Sequence, residues 1–376
     1  MKRILCFCLV VLLLLPFVNF KANATINISA TAAVVVNADT GEVLFSQNGD
    51  KRLPMASTTK IMTAILLLEN VDLKEEIITT KQMVTVEGSS MGLLEGDRVT
   101  YETLLYGMML PSGNDAATTV AISLGGSLEG FSRMMNKKAA EIGMDNTHFV
   151  TPSGLDSELH YSTALDMAKL AVYAMKNEKF KEVVNTKSIR VEYGNPPYSR
   201  SLFGHNKLLD NYEWANGIKT GYTSKSGRCL VSSASKNGTN VIAVTLNDSN
   251  TVTSHKALLE YGFSNLTKYT LELPYEYSKI PVISGENKYA KLKVDTKLVG
   301  LSSKERESLG YKITLKSFIY AGQEKGSVVG SIKFYTKNGV LADLPIYLKE
   351  DTKTLKSKSS VGFLESLINN LISLII

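Results

Sequence analysis

The 376-residue chain is short of cysteine and histidine, with three of the first and four of the second. Cys6 and Cys8 fall inside an apolar run near the N-terminus, which leaves Cys229 as the one remaining thiol. No disulfide can close beyond that run, so an apolar core must hold the fold. Cys229 lies in a strand pattern, where a lone cysteine packs as a small hydrophobe. His148, His160, His205 and His255 form no H-E-x-x-H string and no paired spacing. A zinc peptidase and a Ser-His-Asp triad therefore both lack support, and no residue pattern asks for a cofactor or a metal. A strong excess of charge of either sign is also lacking. The net charge of +6 falls to +3 once Lys2, Arg3 and Lys21 are set aside, too little to argue for nucleic acid.

What the chain does have begins with an export signal. Lys2-Arg3, an apolar run over 4–20 and the A-x-A string Ala22-Asn23-Ala24 mark residues 1–24 as a Sec-type signal peptide. The run is short for an uncleaved anchor. Cys6 and Cys8 lie far from the cleavage site, which argues against a lipid-modified cysteine.

Three short strings then follow in order: Ser57-Thr58-Thr59-Lys60, Ser112-Gly113-Asn114 and Lys219-Thr220-Gly221. Each alone is weak, since Ser233-Ala234-Ser235-Lys236 is a second S-x-x-K, and Ser235-Lys236-Asn237 and Ser46-Gln47-Asn48 are spare S-x-N strings. K-T-G occurs once. The order, the wide spacing and the flanks give the set its weight: Met55-Ala56, Asp115-Ala116-Ala117 and Gly217-Ile218.

Chemistry supplies a reason for each residue. A serine hydroxyl needs a base within hydrogen-bond reach. Pro54 precedes Ser57 and an apolar helical pattern follows over 61–69, which predicts Ser57 in a first helical turn. Free backbone amides there can stabilise an oxyanion. Lys60, three residues on, shares its face. It serves as a base only if burial or a second cation, for which Lys219 is the candidate, lowers its pKa. Residues 101–110 read as a helix that Pro111 and Gly113 break, which predicts a loop for Ser112 and Asn114. Read blandly this string is only a turn. In company, Ser112 becomes a proton relay between Lys60 and the leaving group, and Asn114 a donor to a substrate amide. Lys219-Thr220-Gly221 heads a strand pattern. Gly221 leaves room for an extended substrate to pair with that edge, while Lys219 and Thr220 hold a terminal carboxylate.

The organisation predicted around these strings has five parts. After the signal peptide, 25–266 forms the catalytic region. Residues 32–47 read as a hairpin turning at Asp39-Thr40-Gly41, a mostly helical stretch runs to about Lys181, and strand signals resume near Lys187. Stretches 229–234 and 241–246 read as a hairpin across Lys236-Asn237-Gly238, and 255–263 as a closing helix. One sheet must then be built from both ends of the region. Residues 267–348 alternate in short runs and read as a small β domain, and 349–360 as a polar linker. In 361–376, Phe363, Leu364, Leu367, Ile368, Leu371, Ile372, Ile375 and Ile376 line one helical face. At about 1.5 Å per residue this helix is too short to cross a bilayer of roughly 30 Å. It fits the interface plane instead, with Lys353, Lys356 and Lys358 near anionic headgroups. The bland alternative is a helix docked on its own protein or on a second copy.

S-x-x-K, S-x-N and K-T-G together are the set of class A β-lactamases and penicillin-binding proteins. The chain resembles the low-molecular-weight penicillin-binding proteins, the serine-type D-alanyl-D-alanine carboxypeptidases, over nearly its whole length. Asn146-Thr147-His148-Phe149, Gly154-Leu155-Asp156, Tyr161-Ser162-Thr163-Ala164, Asp166-Met167-Ala168 and Asn206-Lys207-Leu208-Leu209 match as well. The resemblance implies an α/β (α+β) fold of the serine β-lactamase type. An antiparallel sheet is flanked by helices and joined to a helical subdomain, then a small all-β domain and an amphipathic C-terminal helix. It implies Ser57 as acylated nucleophile, Lys60 as base, Ser112 and Asn114 as the second catalytic group, and Lys219 with Thr220 as carboxylate site. The backbone amides of Ser57 and Tyr222, which follows Gly221, would form the oxyanion hole. Peptidoglycan muropeptides are the implied substrates, β-lactams the inhibitors, and the outer face of the cytoplasmic membrane the location. One position departs. Better-known members carry an arginine just before the closing helix, where this chain has Thr251, and no arginine follows to Leu259. Lys219 is left to hold the carboxylate alone or with Lys256. A class A β-lactamase would carry an E-x-x-L-N string, which is absent between Asn114 and Lys219. An endopeptidase cutting D-amino-acid cross-links needs the same nucleophile. A non-catalytic wall-binding scaffold has no need of Lys60.

Overall fold

The computed structural model describes Ile26, residues 28–355 and, in the tail, Ile368 and Ile372. The signal peptide expected over 1–24 and the tail helix expected over 361–376, those two isoleucines apart, lie outside the described residues.

Strands β1 (Ala30–Asn37) and β2 (Val43–Gln47) form the expected hairpin. β1 is apolar at nearly every position because both its faces are covered. Val34 and Val36 point into one apolar cluster, Ala33 and Val35 into another, as the two-residue period of a strand requires. The helical stretch then holds α1 (Lys60–Asn70), α2 (Lys81–Val84), α3 (Tyr101–Met109), α4 (Asn114–Gly125), α5 (Leu128–Glu141), α6 (Ala164–Ala174) and α7 (Glu178–Asn185). Thr100, Ser127, Thr163 and Asn177 start four of these helices by accepting a backbone N–H three residues on. Two short strands interrupt the stretch, β3 (Glu76–Ile78) and β4 (Arg98–Thr100).

The strands that resume after α7 do not join β1. Strands β5 (Ser188–Gly194) and β6 (Pro197–Phe203) pair with each other and, through Arg98 and Gly194, with β4. They complete a separate four-stranded sheet in the order β3-β4-β5-β6. The main sheet takes its other strands after the short helix α8 (Leu208–Asn211). They are β7 (Ala215–Thr223), β8 (Gly227–Lys236) and β9 (Thr239–Asp248). Its order is β2-β1-β9-β8-β7, antiparallel throughout, built from both ends of the region as the sequence requires. Asn237 and Gly238 both take positive φ, which gives the two-residue turn between β8 and β9 the twist a hairpin needs. The closing helix α9 (Thr251–Ser264) starts four residues earlier than its apolar pattern shows, because its first turn is polar. It covers one face of the sheet, with Leu258 and Leu259 against Val35 and Val241. Leu208 of α8 packs on the same side, while α1, α3, α4, α5 and α6 contribute to the cluster on the opposite face.

The remainder is β, as the alternation predicts. A pair, β10 (Thr267–Leu271) and β13 (Lys297–Leu301), lies beside a six-stranded sheet. That sheet uses β11 (Lys279–Ile283), β12 (Tyr289–Lys293), β14 (Gly310–Leu315), β15 (Ile319–Tyr320), β16 (Val328–Thr336) and β17 (Gly339–Leu348). Its core, including Leu271, Ile280, Val299, Ile332 and Leu348, is separate from that of the main sheet. A short helix α10 (Ser303–Glu307) meets the end of β1. Asn37 Nδ2 donates to Gly300 O at 2.8 Å and to the buried Glu305 Oε2 at 2.9 Å.

Candidate active site

Ser57 lies in a 3₁₀ turn, Ala56–Thr59, that runs straight into α1. The sequence predicted an α-helical first turn. The tighter turn serves the pair better, since residues three apart eclipse in it. Lys60, the first residue of α1, is fully buried and places Nζ 3.0 Å from Ser57 Oγ. The same Nζ lies 2.7 Å from Asn114 Oδ1 and 2.9 Å from the Ser153 carbonyl. Burial pushes the Lys60 pKa well below the ordinary lysine value, the Lys219 ammonium pushes it further, and Asp115 opposes both. A neutral amine has two N–H donors and one lone pair. When the amine is neutral, Asn114 and Ser153 accept both donors, which leaves the lone pair for the Ser57 hydroxyl.

The second motif differs from its sequence reading in two ways. Ser112 is on a loop, in the left-handed region at φ 62°, but Asn114 is the first residue of α4. Ser112 Oγ accepts from Lys219 Nζ at 3.0 Å rather than from Lys60. Asn114 is occupied on both sides, since its Nδ2 donates to Glu87 O at 2.5 Å. In this structure it orients Lys60, and the second hydrogen on Nδ2 is left as a donor.

Lys219 comes from β7, the edge strand of the main sheet, as the K-T-G reading requires. Its side chain is buried and also donates to Thr220 O at 3.1 Å. Burial pushes its pKa down to about 7. Thr220 is half-buried and Tyr222 is 65% exposed. Gly221 sets how closely β7 approaches the Ser57 turn, because a Cβ there would meet Met55 O and Ser57 N at 3.0 Å. Glycine alone lets the strand run beside the Ser57 amide. Between them lies a cleft of about 370 Å³ lined by Ser57, Ser112, Thr220, Gly221 and Tyr222. A larger cavity of about 570 Å³, beside Asp39, Lys176 and Lys297, contains none of the motif residues. No cluster of metal-ligating side chains occurs among the described residues.

Several residues that shape the site carried no role in the sequence. Asp115 is fully buried and accepts from Ser90 Oγ at 2.5 Å and from the amides of Met91, Gly92 and Leu93 at 2.9–3.0 Å. It thereby fixes the loop whose Glu87 and Ser89 carbonyls hold Asn114. Only its neighbourhood to the S-x-N string marked it. His160 buttresses the nucleophile turn, with Nε2 2.9 Å from Thr59 Oγ1 and Nδ1 accepting from Val150 N. Burial pushes its pKa down to about 4, so it stays neutral and structural. His255, pushed to about 3 by burial, bridges Ser232 and Thr245 in the sheet. Arg228 lines the cleft from β8, while Lys256 does not line it. Cys229 packs, as expected, with burial raising its thiol to about 11.

Known proteins share this arrangement. The family model for D-alanyl-D-alanine carboxypeptidases of the S11 peptidase type matches residues 19–250, and that for the C-terminal domain of penicillin-binding protein 5 matches 270–354. The D-alanyl-D-alanine carboxypeptidase DacF of Bacillus subtilis is 32% identical over 94% of this chain and 95% of its own. The solved DD-transpeptidase of Streptomyces K15 superposes with a TM-score of 0.61 at 33% identity, over 63% of this chain and 98% of its own. The carboxypeptidase DacD of Francisella tularensis reaches 0.63 at 25% identity, over 88% of this chain and 95% of its own. With the Ser57 hydroxyl and two buried lysines brought together on the matched scaffold, the chain belongs to the serine-type D-alanyl-D-alanine carboxypeptidases, hydrolases that act on peptidoglycan.

Proposed function

We propose that Ser57 removes the terminal D-alanine of peptidoglycan stem pentapeptides through an acyl-enzyme, and that penicillin inhibits by acylating the same hydroxyl as its ring C–N bond opens. The environment of Lys60 Nζ, with two acceptors fixed and its lone pair toward Ser57, carries this reading. Neutral Lys60 takes the Ser57 proton as Oγ attacks the penultimate D-alanine carbonyl. The amides of Ser57 and Tyr222 stabilise the oxyanion. Ser112 passes its proton to the departing amine as the C–N bond breaks and is reprotonated from Lys219. Lys60 then gives up the proton it took, which returns to Lys219 by way of solvent, and is neutral again. Water attacks the ester, Lys60 takes its proton, and that proton passes to Ser57 Oγ as the ester bond breaks. Thr220 lines the carboxylate end of the cleft, with Lys219 buried behind it. Asn206 lines the cleft, and its buried Nδ2 has no acceptor among the described residues.

We further assign the catalytic domain to 25–266, the β domain to 267–348 and a linker to 349–360. The amphipathic segment over 361–376 holds the exported enzyme on the outer face of the cytoplasmic membrane. Among the described residues no helix is long and apolar enough to cross a membrane. Fluorescent penicillin decides the chemistry: it should label wild type and fail on Ser57→Ala. Mass spectrometry of a pentapeptide muropeptide should show loss of one alanine. Labelling that survives in Ser57→Ala would end this reading.

A further inference from the structure

We propose that Arg228 supplies the cation that receives the substrate's terminal carboxylate. The proposal deepens the acyl-enzyme reading above and rests on it. A carboxypeptidase must hold a charged chain end, and the K-T-G lysine is poorly placed to do so alone. Its Nζ is buried and turned toward Ser112 and Thr220 O. The exposed end of the cleft lies along the other face of β7, where Thr220 and Tyr222 sit.

Arg228 stands on that face. It pairs directly with Tyr222, and Leu230 pairs with Thr220. In an antiparallel pair the diagonal neighbours, here Thr220 and Arg228, lie roughly 7–8 Å apart, within reach of a long side chain. Arg228 is exposed, lines the cleft, and takes part in no ion pair among the described residues. The other groups at this end do not serve. Thr251 and Val252 line it from the first turn of α9 and carry no charge. His205 is held neutral, its pKa lowered by burial and by Lys219. Lys207 lines the cleft from the turn before α8, a point charge on a flexible stem. The planar guanidinium of Arg228, seated on a paired strand, matches a carboxylate in two bonds at once. The cation missing at Thr251 is thus replaced from the neighbouring strand.

The test separates carboxylate recognition from chemistry. Acylation rate constants of the mature protein are measured with benzylpenicillin and with its methyl ester, which lacks the carboxylate. Arg228→Gln should lose about tenfold to a hundredfold on the acid, as for one charge-assisted contact, and stay within about twofold of wild type on the ester. Arg228→Lys should recover part of the loss, and Lys207→Gln should keep the wild-type preference for the acid. An Arg228→Gln enzyme with that preference intact overturns the proposal, as does a collapse that appears in Lys207→Gln instead. A wild type acylated by neither compound would sink the acyl-enzyme reading itself, a distinct outcome.

Discussion

Replacing Lys219 by methionine should make the protein inactive and more stable. The lysine is fully buried, and its pKa falls from 10.5 to about 7 on folding. At about 1.4 kcal/mol per pH unit, holding this group in the fold costs roughly 4 kcal/mol at pH 7. Methionine keeps the length and removes the charge. It also leaves Ser112 Oγ and Thr220 O without their donor, which returns roughly 1–2 kcal/mol of that gain. The net is a stabilisation of roughly 2 kcal/mol, or about 4–8 °C in Tm. The sign with pH follows from the lowered folded value. Between about pH 7 and 10.5 the unfolded chain binds more protons than the fold, so wild-type stability rises with pH. The advantage of Lys219→Met should therefore shrink steadily from pH 7 to pH 9. Thermal unfolding followed by circular dichroism over that range, with penicillin acylation in parallel, measures both effects. A variant that melts below wild type at pH 7, or a gap that ignores pH, would refute the assignment of Lys219 as a strained, buried cation.

Three further outcomes are expected. Acylation by wild type should rise with pH through an apparent pKa well below 10.5, and Lys60→Arg, which cannot supply a neutral amine, should acylate at a negligible rate in the same stopped-flow assay. Asp115→Asn removes the carboxylate that raises the Lys60 pKa, so the acid limb of the pH–rate profile should move to lower pH. Loss of the charge-assisted bonds to Ser90, Met91, Gly92 and Leu93 should also cost about 2–4 kcal/mol in urea unfolding. Deleting 363–376 should abolish pelleting with anionic liposomes while leaving hydrolysis of a small D-Ala-D-Ala peptide unchanged; equal pelleting of both forms would place the anchor elsewhere.

What was legible in the sequence is what a fixed local spacing enforces. Ser57 and Lys60 must share a face in any helical turn, and the 3₁₀ geometry only tightens that. Asn237-Gly238 announces its hairpin because few other dipeptides accept positive φ twice. The joining of β1 to β9 follows from strands at both ends of one apolar region. Partner choice at a distance was not legible. Strands β5 and β6 look no different in sequence from strands of the main sheet, yet pair with β4. Asp115 was invisible because three of its partners are backbone amides more than twenty residues away, and amides carry no residue identity. The Ser153 carbonyl, an acceptor for the Lys60 amine, escapes for the same reason. Arg228 reads as an ordinary solvent-facing strand residue until the cleft beside it is seen.

Two buried lysines in one site are expensive, and their arrangement shows why both are kept. Each ammonium disfavours the other, so burial and repulsion together favour a state with one charge, with Lys60 neutral and Lys219 the residual cation. That is the division the chemistry needs, a base at Ser57 and an acid behind Ser112. A carboxylate arriving near Thr220 adds negative charge close to Lys219, which strengthens the hold of Lys219 on its proton. The proton's field in turn keeps Lys60 neutral. Substrate binding therefore reinforces the protonation pattern that acylation uses, and a ligand without the carboxylate would not. On the proposed acyl-enzyme mechanism, cleavage specificity and nucleophile activation are coupled through one buried charge, so the K-T-G lysine cannot simply be moved outward to serve as the carboxylate clamp. That duty falls to a group outside the buried pair.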